Sequence, residues 1–165
     1  MTGLTVGKKV PKFETLTDEG VVVTSESLKG KKWVIYFYPK DLTPGCINQA
    51  CSMRDGMQEF VRRGVQVFGV SMDTERLHQR FREKYALNFP LLMDEKKKLI
   101  KAFKVWGPKK FMGREYDGIH RTTFIINERG IITHIIDKPK TKIHATEVLS
   151  CLEEIRDGGL IKDKR

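Results

Sequence analysis

Trp33-Val-Ile-Tyr-Phe-Tyr-Pro39-Lys-Asp-Leu-Thr43-Pro-Gly-Cys46-Ile-Asn-Gln-Ala-Cys51 is the stretch from which the fold is read. Its first six residues form a short apolar run, aromatic and β-branched, bounded by Lys31-Lys32 and Pro39, and predict a buried strand. Pro44-Gly45 then marks a turn. From Cys46 no helix breaker occurs before Gly56, so Cys46 is expected in the first turn of a helix. A helix N-terminus carries unpaired N–H groups and a partial positive charge, which favour a thiolate over a thiol.

Cys46 and Cys51 are five residues apart. On an unbroken helix that offset is ~140° of rotation and ~7.5 Å of rise, leaving the Cα atoms roughly 8–9 Å apart on different faces. A disulfide does not close across more than about 7 Å without backbone movement. If the pair bonds, the helix must unwind: it is intact with thiols and locally melted with a disulfide. The alternative is two unrelated core thiols, since free cysteine is commonly buried.

These residues resemble a known family. Pro39-x-x-x-Thr43-x-x-Cys46 is similar to the active-site signature of the peroxiredoxins. The longer run from Tyr38 to Cys51 resembles their bacterioferritin comigratory protein, or Q-type, branch. Further matches are Gly7-x-x-x-Pro11-x-Phe13, Val67-Phe-Gly-Val-Ser-x-Asp73, Phe89-Pro-Leu-Leu-x-Asp94, Val105-Trp-Gly107 and Gly118-Ile-x-Arg121-x-Thr-Phe124, so nearly the whole chain is covered. The resemblance implies a thioredoxin-like α/β fold, with a central mixed β-sheet flanked by helices and an N-terminal β-hairpin. It implies a thiol peroxidase acting on hydrogen peroxide and organic hydroperoxides, with Cys46 peroxidatic and Cys51 resolving through an intramolecular disulfide. Thr43 would bond the peroxide, Arg121 would stabilise the thiolate and the departing oxygen, and Pro39 would shield the site. A thioredoxin or glutaredoxin would be the reductant, no cofactor is called for, and the chain would be a monomer or weak homodimer. Gln49 stands where many members of the family carry Glu, which removes a carboxylate. A protonated His120, just before Arg121, would add to the positive field.

Outside this segment, 165 residues predict one domain spanning 1–165, large enough to fold without disulfide or metal staples. The N-terminus has no apolar core of signal-peptide length, and no run approaches the ~18 apolar residues of a membrane span, so a cytoplasmic protein is expected. Three cysteines argue against a secreted disulfide framework. The 31 Lys and Arg against 21 Asp and Glu give a formal charge of +10. That charge fits a nucleic-acid coat or an acidic protein partner. The cations are scattered, however, with small clusters such as Lys109-Lys110 that read as solvated faces, and no nucleic-acid-binding motif accompanies them. No nucleic-acid partner is therefore expected. Cys46 and Cys51 lack a second ligand pair at zinc spacing, and there is no dinucleotide fingerprint or phosphate loop. The absence of Cys-x-x-Cys argues against a protein disulfide oxidoreductase.

The remaining elements follow from periodicity. Asp18-Glu-Gly20 predicts a hairpin turn before Val21-Val-Val23. Met53, Met57, Phe60 and Val61 continue the cysteine helix inward to Arg63, and Gly64 ends it. Val65 to Ser71 is a second buried strand, giving a βαβ unit whose functional loops lie at the C-terminal ends of the strands. Asp73-Thr74 caps a helix to Tyr85, on which His78 is structural or solvated. A helix is expected from Glu95 to Lys104, and a long loop from Gly107 to His120, with Phe111 and Tyr116 as candidate pocket walls. Arg121 to Asn127 and Ile131 to Ile136 form a hairpin with His134 on its solvent face. His144 to Ile155 is a last amphipathic helix, with Ile155 inward and Cys151 packed on its flank.

Overall fold

A computed structural model describes residues 3–158, without the side chains of 155–158; Ile155, expected inward, thus lies outside the described side chains. The predicted strand is β3, Lys32–Phe37, and each residue from Trp33 to Tyr38 is at most 1% exposed. Its alternation splits the interior in two. Val34, Tyr36 and Tyr38 point into one cluster, while Trp33, Ile35 and Phe37 point into the other.

The chain reaches β3 through an N-terminal hairpin of β1 (Glu14–Leu16) and β2 (Val22–Thr24). Beyond it come α1 (Pro44–Arg62), β4 (Val65–Ser71), α2 (Glu75–Tyr85), β5 (Leu91–Met93) and α3 (Lys98–Ala102). A second hairpin, β6 (Trp106–Phe111) and β7 (Arg114–Ile119), precedes β8 (Thr122–Ile126), β9 (Ile132–Asp137) and α4 (His144–Gly158). The central sheet runs β5-β4-β3-β8-β9. β3, β4 and β5 are parallel, and β8 and β9 are antiparallel to their neighbours. One face of the sheet is covered by α1, α4 and Phe81 of α2, and the other by α3 and side chains from the N-terminal segment. This is the thioredoxin-like arrangement with a mixed sheet.

Local chemistry explains the boundaries. Thr43 is extended, Pro44 occupies the first helical position of α1, and Gly64 follows the helix with φ +71°. Thr74 caps α2 by accepting from the Leu77 N–H. Gly56 sits where α4 comes closest: a Cβ there would stand 2.7 Å from that of Ala145, whose N–H donates to Ser52 Oγ. The absent side chain lets the two helices meet.

Four expectations are corrected. The segment expected as a long loop is the β6–β7 hairpin, closed by Met112 and Gly113, both with positive φ. Its strands are largely exposed, so no apolar alternation marks them; Phe111 and Tyr116 stand out in solvent. The helix expected from Glu95 is only Lys98–Ala102, because the Asp94 carboxylate accepts from the Leu99 and Ile100 N–H groups and starts it later. His134 is 7% exposed: it lies opposite Ile125 in the ladder and is covered by α4. Val61 is 68% exposed, one step round α1 from buried Phe60.

Candidate active site

β3 delivers the chain to the C-terminal edge of the sheet, and five residues of loop lead from Tyr38 into α1. Thr43 supplies the first acceptor of the helix, bonded by the Ile47 N–H at 2.8 Å. Cys46 therefore lies in the first turn, as its spacing from Pro44 predicts, and is 1% exposed. Cys51 is on the same unbroken helix, half-buried, and both thiols are free. The helix runs unbroken through both positions of the five-residue offset.

Arg121, 75 residues away in sequence, enters from the start of β8. Its Nη2 stands 3.4 Å from Cys46 Sγ, and its Nη1 donates to Gln49 Oε1 at 2.6 Å. Gly45 makes room for this approach, since a Cβ there would lie 3.2 Å from Nη2. Gln49 is completely buried, and its amide oxygen holds the guanidinium without a carboxylate. One turn of helix thus presents both a sulfur and an acceptor to the same cation.

Thr43 is partly buried, and its hydroxyl donates to Lys40 O at 2.9 Å. Because a carbonyl only accepts, the hydroxyl proton is committed and the Oγ1 lone pairs are what it offers to a substrate. Pro39 is half-buried, two residues beyond the end of β3. His120 lies with its ring against Gly107, and the structure gives it no bond to Cys46. It lines an open depression of about 710 Å³ beside Arg121, together with Lys109, Thr122, Asp137, Lys138 and Pro139.

Two contributors escape the sequence reading. Lys109, expected on a solvated face, is partly buried, and its ammonium donates to Ile119 O at 2.8 Å. Burial and the neighbouring Arg121 charge hold it below the usual lysine range, while Cys46 pulls the other way. Tyr36, an unremarkable strand residue in sequence, forms part of the same buried cluster as Cys46. Burial pushes its phenol well up, with the negative charges of Cys46 and Asp41 adding to the effect. Neither was legible because both depend on which strands meet.

Two clusters of potential metal ligands occur among the described residues. Asp41, Asp73 and His78 spend their polar atoms on hydrogen bonds with one another and with their surroundings. His134, Cys151 and Glu154 bring an imidazole, a thiol and a carboxylate within 4.8 Å of one another, with Cys151 also packed against the core as expected.

The AhpC/TSA family profile matches residues 6–135. Peroxiredoxin Bcp of Escherichia coli is 45% identical over 154 residues, 93% of this chain and 99% of its own. Peroxiredoxin Bcp of Bacillus subtilis is 42% identical over 152 residues, 92% of this chain and 97% of its own. Among solved structures, the bacterioferritin comigratory protein of Xanthomonas campestris, studied for its alkyl peroxide reduction activity, superposes with a TM-score of 0.83. It is 31% identical, over 93% of this chain and 98% of that one.

Proposed function

Since the chain belongs to the AhpC/TSA peroxiredoxin family, in its Bcp/PrxQ branch, we propose that it reduces hydrogen peroxide and organic hydroperoxides by a two-cysteine cycle on α1. The observation that carries this is the 3.4 Å approach of Arg121 Nη2 to Cys46 Sγ at a helix N-terminus. A cation and the N–H groups of a first turn both face the sulfur that acts as nucleophile. Thiol-peroxidase chemistry is the family's; the residue roles are this chain's own reading.

The Cys46 thiolate attacks the terminal peroxide oxygen. The S–O bond forms as the O–O bond breaks, and the departing oxygen takes a proton to leave as water or an alcohol. Thr43 Oγ1 accepts the peroxide O–H, which orients it. Arg121, held by Gln49, faces the sulfur as it gives up charge and the oxygen as it gains charge. Pro39 limits access at the mouth. Cys51, as thiolate, then attacks the sulfenic sulfur and hydroxide departs with a proton as water, leaving the Cys46–Cys51 disulfide. That step needs the first turn of α1 to unwind, because the five-residue offset keeps the sulfurs apart on an intact helix. A thioredoxin or glutaredoxin dithiol reduces the bond. Among the described residues no helix is long and apolar enough to cross a membrane.

Intact mass before and after one equivalent of hydrogen peroxide tests the cycle. The wild type loses two hydrogens, Cys51→Ser gains an oxygen and Cys46→Ser is unchanged. No mass change in any of the three would overturn the reading.

A further inference from the structure

The loop that carries the thiol is tied at one end by a buried polar network. Asp41 is 4% exposed, and its Oδ1 accepts from the Tyr38 hydroxyl at 2.5 Å. Its Oδ2 lies 2.6 Å from His78 Nδ1 on α2. His78 is fully buried, and its Nε2 is 3.0 Å from the carbonyl of Leu92 in β5, so Nε2 carries a proton. The Asp41 main chain is fixed as well: its N–H donates at 2.8 Å to Asp73 Oδ2, which also accepts from Ser71 Oγ at the end of β4. Side chain and backbone of one loop residue are therefore tied to β4, α2 and β5 together.

The next residue behaves differently. Leu42 has φ +64°, a left-handed conformation that is strained for a residue with a Cβ and persists only where its surroundings impose it. Thr43 is extended and α1 begins at Pro44. From there to Cys46 the backbone N–H groups lie in the opening turn, where a helix has no internal partners for them. A fixed point at residue 41, a strained residue at 42 and a loosely bonded turn from 44 follow one another directly.

We propose that Asp41 and His78 are positioning residues that form the fixed side of a hinge at Leu42. They hold Thr43 and Cys46 in line with Arg121 for the peroxide step, and they set the point at which unwinding stops when Cys46 travels to Cys51. This rests on the two-cysteine reading above. Neither residue touches the sulfur; they act through the six-residue span from Asp41 to Cys46. Loss of the tie lets the loop drift, which impairs the step that needs alignment and spares the step that needs opening.

The test separates the two steps in single turnover, following sulfenic acid formation and then its conversion to disulfide. In Asp41→Ala and His78→Ala the first step slows roughly tenfold to a hundredfold, the scale expected of a misplacement near 1 Å. The second is unchanged or faster. Asp41→Asn restores most of the first step, because its amide accepts from Tyr38 and donates to the free Nδ1 of a neutral His78. Equal slowing of both steps, or an Asn variant no better than Ala, would overturn the proposal. If the alanine variants fail to fold, His78→Gln carries the same comparison with one of the two bonds lost. Amide exchange of the reduced protein, needing no peroxide, tests the hinge apart from the peroxidase reading. Exchange at Leu42 to Ile47 should speed up in the alanine or glutamine variants and return to wild type in Asp41→Asn; unchanged exchange throughout would also overturn it.

Discussion

Gln49 Oε1 accepts a 2.6 Å hydrogen bond from Arg121 Nη1, so a neutral amide holds the guanidinium whose other arm faces Cys46. The amide nitrogen of Gln49 is buried with no hydrogen-bond partner among the described residues, so a carboxylate in its place sacrifices no bond. Gln49→Leu, which removes the acceptor, is expected to lower the rate of Cys46 oxidation by roughly tenfold to a hundredfold through a displaced Arg121. Gln49→Glu should stay within about threefold of wild type, since it keeps a charge-assisted bond. Stopped-flow peroxide consumption measures both, and an unaffected Gln49→Leu would show that Arg121 needs no such support.

Arg82 forks onto Asp18 with bonds of 2.6 and 2.8 Å and also donates to the carbonyls of Leu87 and Phe89, joining α2 to the turn of the first hairpin. Burial acts to raise the Asp18 carboxyl, but the bonds from Arg82 and the Leu91 N–H outweigh it and hold the carboxyl below its ordinary value. A depressed folded value gives stability that is present above the unfolded value of about 3.9 and lost as pH falls through the folded one. Asp18→Asn should cost about 3 kcal/mol at neutral pH, the scale of a broken buried pair. Urea unfolding at descending pH should show that gap shrinking below about pH 4; a gap of constant size would rule out the ion pair as its source.

A methyl group at residue 56 would meet Ala145 at 2.7 Å. Helix propensity alone favours Gly→Ala by about 1 kcal/mol, whereas overpacking costs about 1–3 kcal/mol. Gly56→Ala is therefore expected to destabilise the protein, and Gly56→Ala with Ala145→Gly to recover part of the loss. A melting temperature raised by the single change would mean that α4 yields freely.

Cys151 lies on α4 beside His134 and Glu154. Cys151→Ser should leave the peroxide-dependent loss of two hydrogens intact. If intact mass instead shows an added oxygen, Cys151 and not Cys51 is the resolving thiol.

The order of the core elements was readable from residues 33 to 71 because each step is local. An apolar β-branched run, a Pro-Gly turn, a helical apolar stripe and a terminal glycine each act within a few residues. The same locality placed Cys46 in the first turn of α1 and separated it from Cys51. Reading failed where strands lack a buried face, as in the β6–β7 hairpin, and where a side chain resets a boundary, as Asp94 does for α3. His134 looked solvent-facing because alternation says which residues share a face, but not which face a helix will cover.

What only the tertiary structure decided is the company each site residue keeps. Arg121 could be matched to a motif, but its reach to Cys46 and Gln49 exists because β8 pairs with β3, whose C-terminal end leads into α1. Asp41, Asp73 and His78 are ordinary polar residues in a linear chain. Parallel pairing of β3, β4 and β5 brings their ends together and turns those residues into one buried network. Local sequence sets backbone geometry through short-range sterics and hydrogen bonds; which charges meet depends on the strand order that closes the core.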